Sequence, residues 1–231
     1  MEDEGVLVFS GVGGHSAHWS LVKPPMTEHV RTALVAGQSI QIVFFTWSAE
    51  TAALLESVMD VAASLHSYPF PIQPLLLSLQ ELSLNGVKAN MKKVALEQFQ
   101  DVCSGMAFFK NQLGNGATLL SSLVRKERYW TAIVLRTRPE YVRLDVINAT
   151  PLLPEEEKRI RHRLALVRQY DSVEGFHQAE SDLTEGAGLG LYLAGLGLRS
   201  CQVRRRRLHI RSDRSGHTVA RVSLAWDKAG P

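Results

Sequence analysis

Apolar residues recur with a helical spacing along much of the first half of the chain, and they alternate with polar residues along parts of the second half. A spacing of three to four residues predicts an amphipathic helix, and strict alternation predicts a strand with one buried face. The helices predicted in this way cover residues 27–38, 48–66, 74–93, 155–170 and 189–198. The predicted strands cover residues 40–45, 129–136, 141–147, 203–210 and 218–226. Residues 99–126 are also helical in pattern, with expected breaks at Gly105 and at Gly114–Gly116.

This order of elements predicts the fold class. Runs of helices combined with strand hairpins are typical of α+β proteins. We expect a two-layer α/β sandwich, in which a mixed, mostly antiparallel sheet carries its helices on one face. Residues 1–25 are expected to form an irregular arm or a short added strand, and residues 26–70 a helix/strand extension. Residues 71–228 would then form the main domain, with 99–126 inserted in it.

Composition restricts the class of protein. The chain has 231 residues, of which 45% are hydrophobic and 21% charged, so it is globular rather than disordered or fibrous. Its longest near-apolar stretch, residues 189–198, contains three glycines and is too short to span a bilayer. The acidic start Met1–Glu4 does not resemble an export signal. Cys103 and Cys201 form no metal or disulfide pattern, which favours a reducing, cytoplasmic location.

The charge is mildly basic and unevenly distributed. The formal net charge is +3, and seven arginines fall within residues 199–214. Alternation along a strand would place two of Arg204–Arg207 on each face of the sheet and dilute any basic patch. We therefore interpret this run as a solvated edge or a protein-docking surface in preference to a nucleic-acid site.

One predicted helix carries an unusual polar face. Glu81, Asn85 and Lys88 are spaced at i, i+4 and i+7, so they share one side of a helix that is otherwise apolar. The Asn85 carbonyl oxygen could bind Mg²⁺ together with phosphates and water. Lys88 could pair with phosphate, and Glu81 could accept a proton. The alternative is a plain solvated stripe.

A glycine-rich segment precedes a second helix. Gly186, Gly188 and Gly190 would present backbone N–H groups at the positive end of the helix that begins near residue 189, which is a suitable cradle for phosphate. A dinucleotide-binding fingerprint would require a strand directly before the glycines. Residues 182–185 are polar instead, so we reject that interpretation.

These segments, in this order, resemble the ATP-binding domain shared by sensor histidine kinases, DNA gyrase, heat-shock chaperones, MutL repair proteins and anti-sigma-factor serine kinases. Residues 81–90 resemble the family's N box, residues 186–194 its second glycine box, and residues 208–224 its closing hairpin. The middle motif, within residues 146–154, departs from the family pattern. Asn148 stands where the family has the aspartate that binds adenine, and Thr150 and Leu152 replace two glycines.

The resemblance implies a Bergerat-type fold, with ATP and Mg²⁺ as cofactors. It also implies roles for the matching residues: Asn85 as Mg²⁺ ligand, Lys88 as phosphate contact, Glu81 as general base, Asn148 as adenine contact, and Gly186, Gly188, Gly190 and Leu191 as the phosphate loop and lid hinge. No histidine ahead of residue 81 has the family's phosphoacceptor context.

The function expected from the resemblance is that of a histidine-kinase-like signalling protein. It would phosphorylate a partner protein in trans, such as a response-regulator-like substrate. The alternative is a pseudo-kinase that regulates a partner by binding it. Homodimerisation through the helix of residues 48–66 stays open. A DNA-binding regulator ranks last, and we expect no membrane association.

Overall fold

The computed structural model describes residues 6–10, 17–20, 26–66, 71–170, 189–201, 203 and 205–226. The strands in this part of the chain are β1 (Val6–Ser10), β2 (Ala17–Ser20), β3 (Ser39–Phe44), β4 (Thr131–Arg138), β5 (Tyr141–Asn148), β6 (Arg205–Ser212) and β7 (Thr218–Ala225). The helices are α1 (Met26–Val35), α2 (Ala49–Ser64), α3 (Ile72–Glu97), α4 (Val102–Gly114), α5 (Thr118–Lys126), α6 (Pro154–Gln169) and α7 (Leu189–Ser200).

The strands form one seven-stranded sheet in the order β2-β1-β3-β4-β5-β7-β6. The α+β class with a layer of helices against a sheet is as predicted, but the mixed character of the sheet is not. Every strand pair among the described residues is antiparallel. The reason lies in the position of β7. Strands β5 and β6 run in the same direction, and β7 lies between them, so the two never pair.

The N-terminal arm is the second departure from the sequence-based expectation. Two strands, β1 and β2, lie within residues 1–25, where we expected an irregular arm or one short strand. Strand β1 pairs with β3, and β3 pairs with β4. Residues 26–66 therefore contribute a strand, β3, to the same sheet as the strands that follow them.

Local sequence signals explain where the helices begin. Helix α2 is capped by the Ser48 hydroxyl, which accepts from the Thr51 N–H at 3.2 Å. Helix α6 begins with Pro154, and the Glu156 carboxylate accepts from the backbone N–H of Leu153 at 3.2 Å. Gly105 was expected to break the helical segment, but it lies buried inside α4. A Cβ there would come within 3.0 Å of the Leu96 Cα, so the glycine allows α4 to approach α3 closely.

The hydrophobic core lies between one face of the sheet and the helices. It includes inward-facing residues of the central strands, such as Ile133, Leu144 and Val222, together with α2 and α3 residues such as Val58 and Leu79. Asn148 continues the inward-facing positions of β5 and therefore ends the strand on the helix side. None of the described helices combines the length and apolar character needed to cross a bilayer.

Candidate functional site

A cavity of about 540 Å³ opens where α3, the end of β5, α6, α7 and the β6–β7 hairpin meet. This volume is in the range typical of small-molecule sites. Its apolar walls include Val146, Ile160, Leu191 and Ile210. Its polar lining side chains are Asn85, Asn148, Thr150 and Thr218, and its charged ones are Lys92, Lys93, Glu156, Arg159 and Arg163.

Asn148 belongs to a small hydrogen-bonded group at the cavity wall. Its side chain is buried, and its Nδ2 donates to the Thr150 hydroxyl at 2.6 Å and to the Thr150 carbonyl oxygen at 3.3 Å. Thr218, which lies opposite Asn148 in the β5–β7 register, donates its hydroxyl to the same carbonyl at 2.6 Å. No described residue donates to the Asn148 Oδ1, so this oxygen stays available as an acceptor.

Helix α3 reaches this group through a close backbone approach. A Cβ on Gly86 would lie 3.3 Å from the Asn148 Cβ and 3.3 Å from the Thr131 Cγ2. A larger residue at position 86 would push the helix away from the sheet. Gly86 therefore allows α3 to approach the sheet closely at this point.

Glu81, Asn85 and Gly190 meet at the start of α7. A Cβ on Gly190 would overlap the Glu81 carboxylate and would lie 3.8 Å from the Asn85 Nδ2. Gly190 is in the first turn of α7, where unsatisfied N–H groups create a partial positive charge. A side chain at position 190 would therefore require the flexible Glu81 side chain to move. The Glu81 carboxylate thus lies beside the helix end at which the sequence predicts phosphate.

The other predicted site residues have three different outcomes. Leu191 is buried and lines the cavity. Lys88 is exposed on α3 and does not line the cavity, although Asn85 before it and Lys92 after it do, so it lies outside the face of α3 that borders the cavity. Gly186 and Gly188 lie outside the described residues.

The sequence did not predict the charged residues that line the cavity. Lys92 on α3 pairs with Glu156 on α6 at 2.8 Å and so joins the two helices beside the cavity. Burial alone would raise the pKa of Glu156, but hydrogen bonds from Lys92 and from the Leu153 N–H hold it below its usual value. Arg159 and Arg163 add positive charge from α6. Their i, i+4 spacing was visible in the sequence, but the face of α6 that meets the cavity was not.

The described residues contain no group of three His, Cys, Asp or Glu side chains that could hold a metal ion by themselves. A divalent cation in this cavity would need oxygen atoms from its ligand in addition to a protein group such as the Asn85 amide. Mg²⁺ is commonly bound in this way, through one or two protein groups together with phosphates and water.

Comparisons with known proteins find a similar protein, but they assign no activity to it. No family model matches the chain, and no solved structure matches it. An uncharacterized protein of Treponema pallidum (strain Nichols) is 27% identical over 180 residues, which cover 75% of this chain and 35% of that protein. The chain therefore spans about a third of the length of this relative.

Proposed function

We propose that the chain binds ATP with Mg²⁺ in the cavity between α3, β5 and α7, and that it acts as a histidine-kinase-like signalling protein. The observation that carries the proposal is the meeting of separated motifs. Asn85 and Asn148 line one cavity, and Gly190 lies against Asn85. These three residues come from three distant segments, each selected from the sequence for a nucleotide-binding role.

The chemistry of the lining fits a nucleotide. The free Oδ1 of Asn148 can accept from an amino group of a purine, and apolar side chains such as Ile160 and Ile210 can cover its ring. Four cationic residues line the cavity, namely Lys92, Lys93, Arg159 and Arg163. Lys92 pairs with Glu156 and Lys93 with Glu97, so these four positive and two negative side chains carry a net charge of +2. This excess of positive charge suits a polyphosphate. The Asn85 carbonyl oxygen would hold Mg²⁺, which neutralises phosphate charge when bound.

Glu81 would be the general base if the chain transfers phosphate to a hydroxyl of a partner protein. Its carboxylate lies beside Gly190, at the helix end proposed to face the phosphates. A carboxylate within reach of the nucleophile can remove its proton. In this proposal the phosphate acceptor belongs to the partner.

A pseudo-kinase is the second candidate function, and three features of the site favour it. Thr150 and Leu152 line the cavity where the family has glycines. The Asn148 amide is tied to Thr150. The Glu81 carboxylate stabilises the start of α7 by its position, and there it would repel phosphate in the absence of a cation. A chain of this kind would keep the fold as a regulatory binding module.

Calorimetric titration of the folded chain with Mg-ATP tests the binding proposal. We expect saturable binding that weakens strongly when Mg²⁺ is replaced by EDTA. The absence of binding at millimolar nucleotide, with a cooperative thermal transition still present, would contradict the proposal. Release of labelled phosphate, or its transfer to candidate partners, then separates the kinase from the pseudo-kinase.

The middle motif gives a gain-of-function prediction. We expect Asn148→Asp to tighten Mg-ATP binding by roughly fivefold, because a carboxylate accepts a stronger hydrogen bond than an amide does, by about 1 kcal/mol. Thr150 can turn its hydroxyl to donate to the new carboxylate, whereas the longer bond to the Thr150 carbonyl oxygen is lost. Titration of the two proteins side by side checks this. Unchanged or weaker binding in a folded Asn148→Asp protein would show that Asn148 is not the adenine contact.

A further inference from the structure

The face of the sheet opposite the core carries a cluster of arginines. We call it the arginine face and define it by Arg136, Arg143, Arg205, Arg207, Arg211 and Arg221. The register between neighbouring strands places these residues on one face of the sheet. Arg207 lies opposite Ser223, which lies opposite Arg143, which lies opposite Arg136. Because paired residues point to the same face, this row crosses four strands without leaving the face.

Hydrogen bonds confirm the placement of the central arginines. Asp145 is buried, and it accepts from Arg221 at 2.7 Å, from Arg143 at 3.0 Å and from Arg136 at 3.2 Å. One carboxylate therefore orients three guanidinium groups on three neighbouring strands. It is also the only acidic residue in β4, β5, β6 and β7. The face keeps a large positive charge after this neutralisation.

The arginine face is accessible. Arg205, Arg207 and Arg211 are exposed on β6, and the Arg136 side chain retains 43% of its accessible surface. The sequence predicts that the arginines of β6 are divided between the two faces of the sheet, and this division affects β6 alone. Arg206 does point the other way and donates to the Cys201 carbonyl oxygen at 3.1 Å. Neighbouring strands supply the arginines that complete the patch.

Protection of an edge strand explains only part of this pattern. Charged side chains on an edge strand such as β6 prevent unwanted strand pairing. Arg136, Arg143 and Arg221 lie on β4, β5 and β7, which are inside the sheet and need no such protection. Their presence beside the β6 arginines calls for another explanation.

We infer that the arginine face binds the phosphate backbone of single-stranded nucleic acid. Arginine pairs with phosphate through two parallel hydrogen bonds, and nucleic-acid interfaces are polar and strongly positive. The face of β6 presents Arg205, Arg207, His209 and Arg211 in sequence, so three arginines and one histidine form a linear track suited to a linear polyanion. Tyr141, on the same face beside Arg205 across β7, offers a ring for base stacking. This inference is independent of the nucleotide proposal, because the cavity is on the opposite side of the sheet.

Other anionic partners fit less well. Stable membrane binding needs a second, apolar signal in addition to basic residues, and protein interfaces have an apolar centre. The large hydrophobic side chains that are exposed in the described part of the chain lie on or beside helices, not on this face. A duplex is read by an element that enters its groove. The arginine face extends across four strands of the sheet, which makes it broader than such an element.

The test is fluorescence anisotropy with a labelled 20-nucleotide single-stranded RNA, titrated with the full chain at several salt concentrations. We expect the logarithm of the association constant to fall linearly with the logarithm of salt concentration, with a slope near −0.7 per phosphate contacted. In Arg207→Gln/Arg211→Gln we expect at least tenfold weaker binding and a slope smaller by about 1.4, since two contacts are lost. Arg205→Gln/Arg211→Gln serves as a second variant should the first fail to fold.

The matched control is Lys110→Gln/Lys126→Gln, which makes the same change in net charge at exposed helix positions away from the face. Unchanged RNA binding in this control supports a localised site. Three results would overturn the inference: no binding at 50 mM salt, an equal loss in the control, or displacement of the RNA by phosphatidylserine vesicles or polyglutamate as effectively as by unlabelled RNA.

Discussion

Replacing Asn85 by alanine is expected to weaken Mg-ATP binding by roughly 100-fold, because loss of even an outer-shell partner of a metal ligand costs about 10- to 100-fold. The Asn85 side chain lines the cavity and lies next to the start of α7, where we propose the phosphates bind. Alanine removes the oxygen proposed for Mg²⁺ and leaves the helix intact, because position 85 is exposed and alanine favours helix. Calorimetric titration, in parallel with thermal unfolding, measures both quantities.

The matched control for this experiment is Gln80→Ala. Gln80 is exposed on the same helix but does not line the cavity, so the variant removes an amide without touching the site. We expect it to bind Mg-ATP like the wild type. If Asn85→Ala binds as tightly as Gln80→Ala does, Asn85 does not hold the metal. If both variants lose binding while folded, the effect comes from the helix in general and not from the cavity.

The sequence predicted strands and helices well wherever a segment had a regular period or a dense run of β-branched and aromatic residues. Residues 40–45 were predicted as a strand, and β3 covers Ser39–Phe44. In residues 1–25 at most one short strand was expected, because the four apolar residues 6–9 show no clear alternation. The status of β1 as a strand depends on pairing with β3, which is a tertiary property that a local pattern does not contain.

The other residues that line the cavity were not predicted, for a related reason. Asn85 and Asn148 could be chosen because each belongs to a motif with a fixed local spacing. Arg159 lines the same cavity outside any such motif, and Thr218 lines it from residues 208–224, a segment in which no site residue was predicted. Thr218 contributes only because β7 pairs with β5 and places it opposite Asn148. The arginine face was missed in the same way, since its rows depend on the order of strands in the sheet.

Replacing Asp145 by asparagine is expected to destabilise the fold by about 3 kcal/mol at pH 7, the usual cost of removing one partner from a buried ion pair. Three guanidinium groups would then lie together on β4, β5 and β7 without the carboxylate that neutralises them. Urea denaturation measures the free energy of unfolding. Asp60→Asn is the control, since it removes the same charge from an exposed position on α2, and we expect it to change stability by less than about 0.5 kcal/mol.

The contribution of Asp145 to the free energy of unfolding should also decrease as the pH falls. Burial alone would raise the pKa of Asp145, but the hydrogen bonds and charges of Arg221 and Arg143 hold it below its usual value. A carboxyl whose pKa is lower in the folded state stabilises the fold fully above its unfolded pKa of about 3.9, and loses that contribution as the pH falls through the folded pKa. The difference between wild type and Asp145→Asn should therefore be largest at neutral pH and should shrink below about pH 4. A difference that stays constant or grows in acid would mean that the arginines do not depend on the charge of Asp145 for their positions.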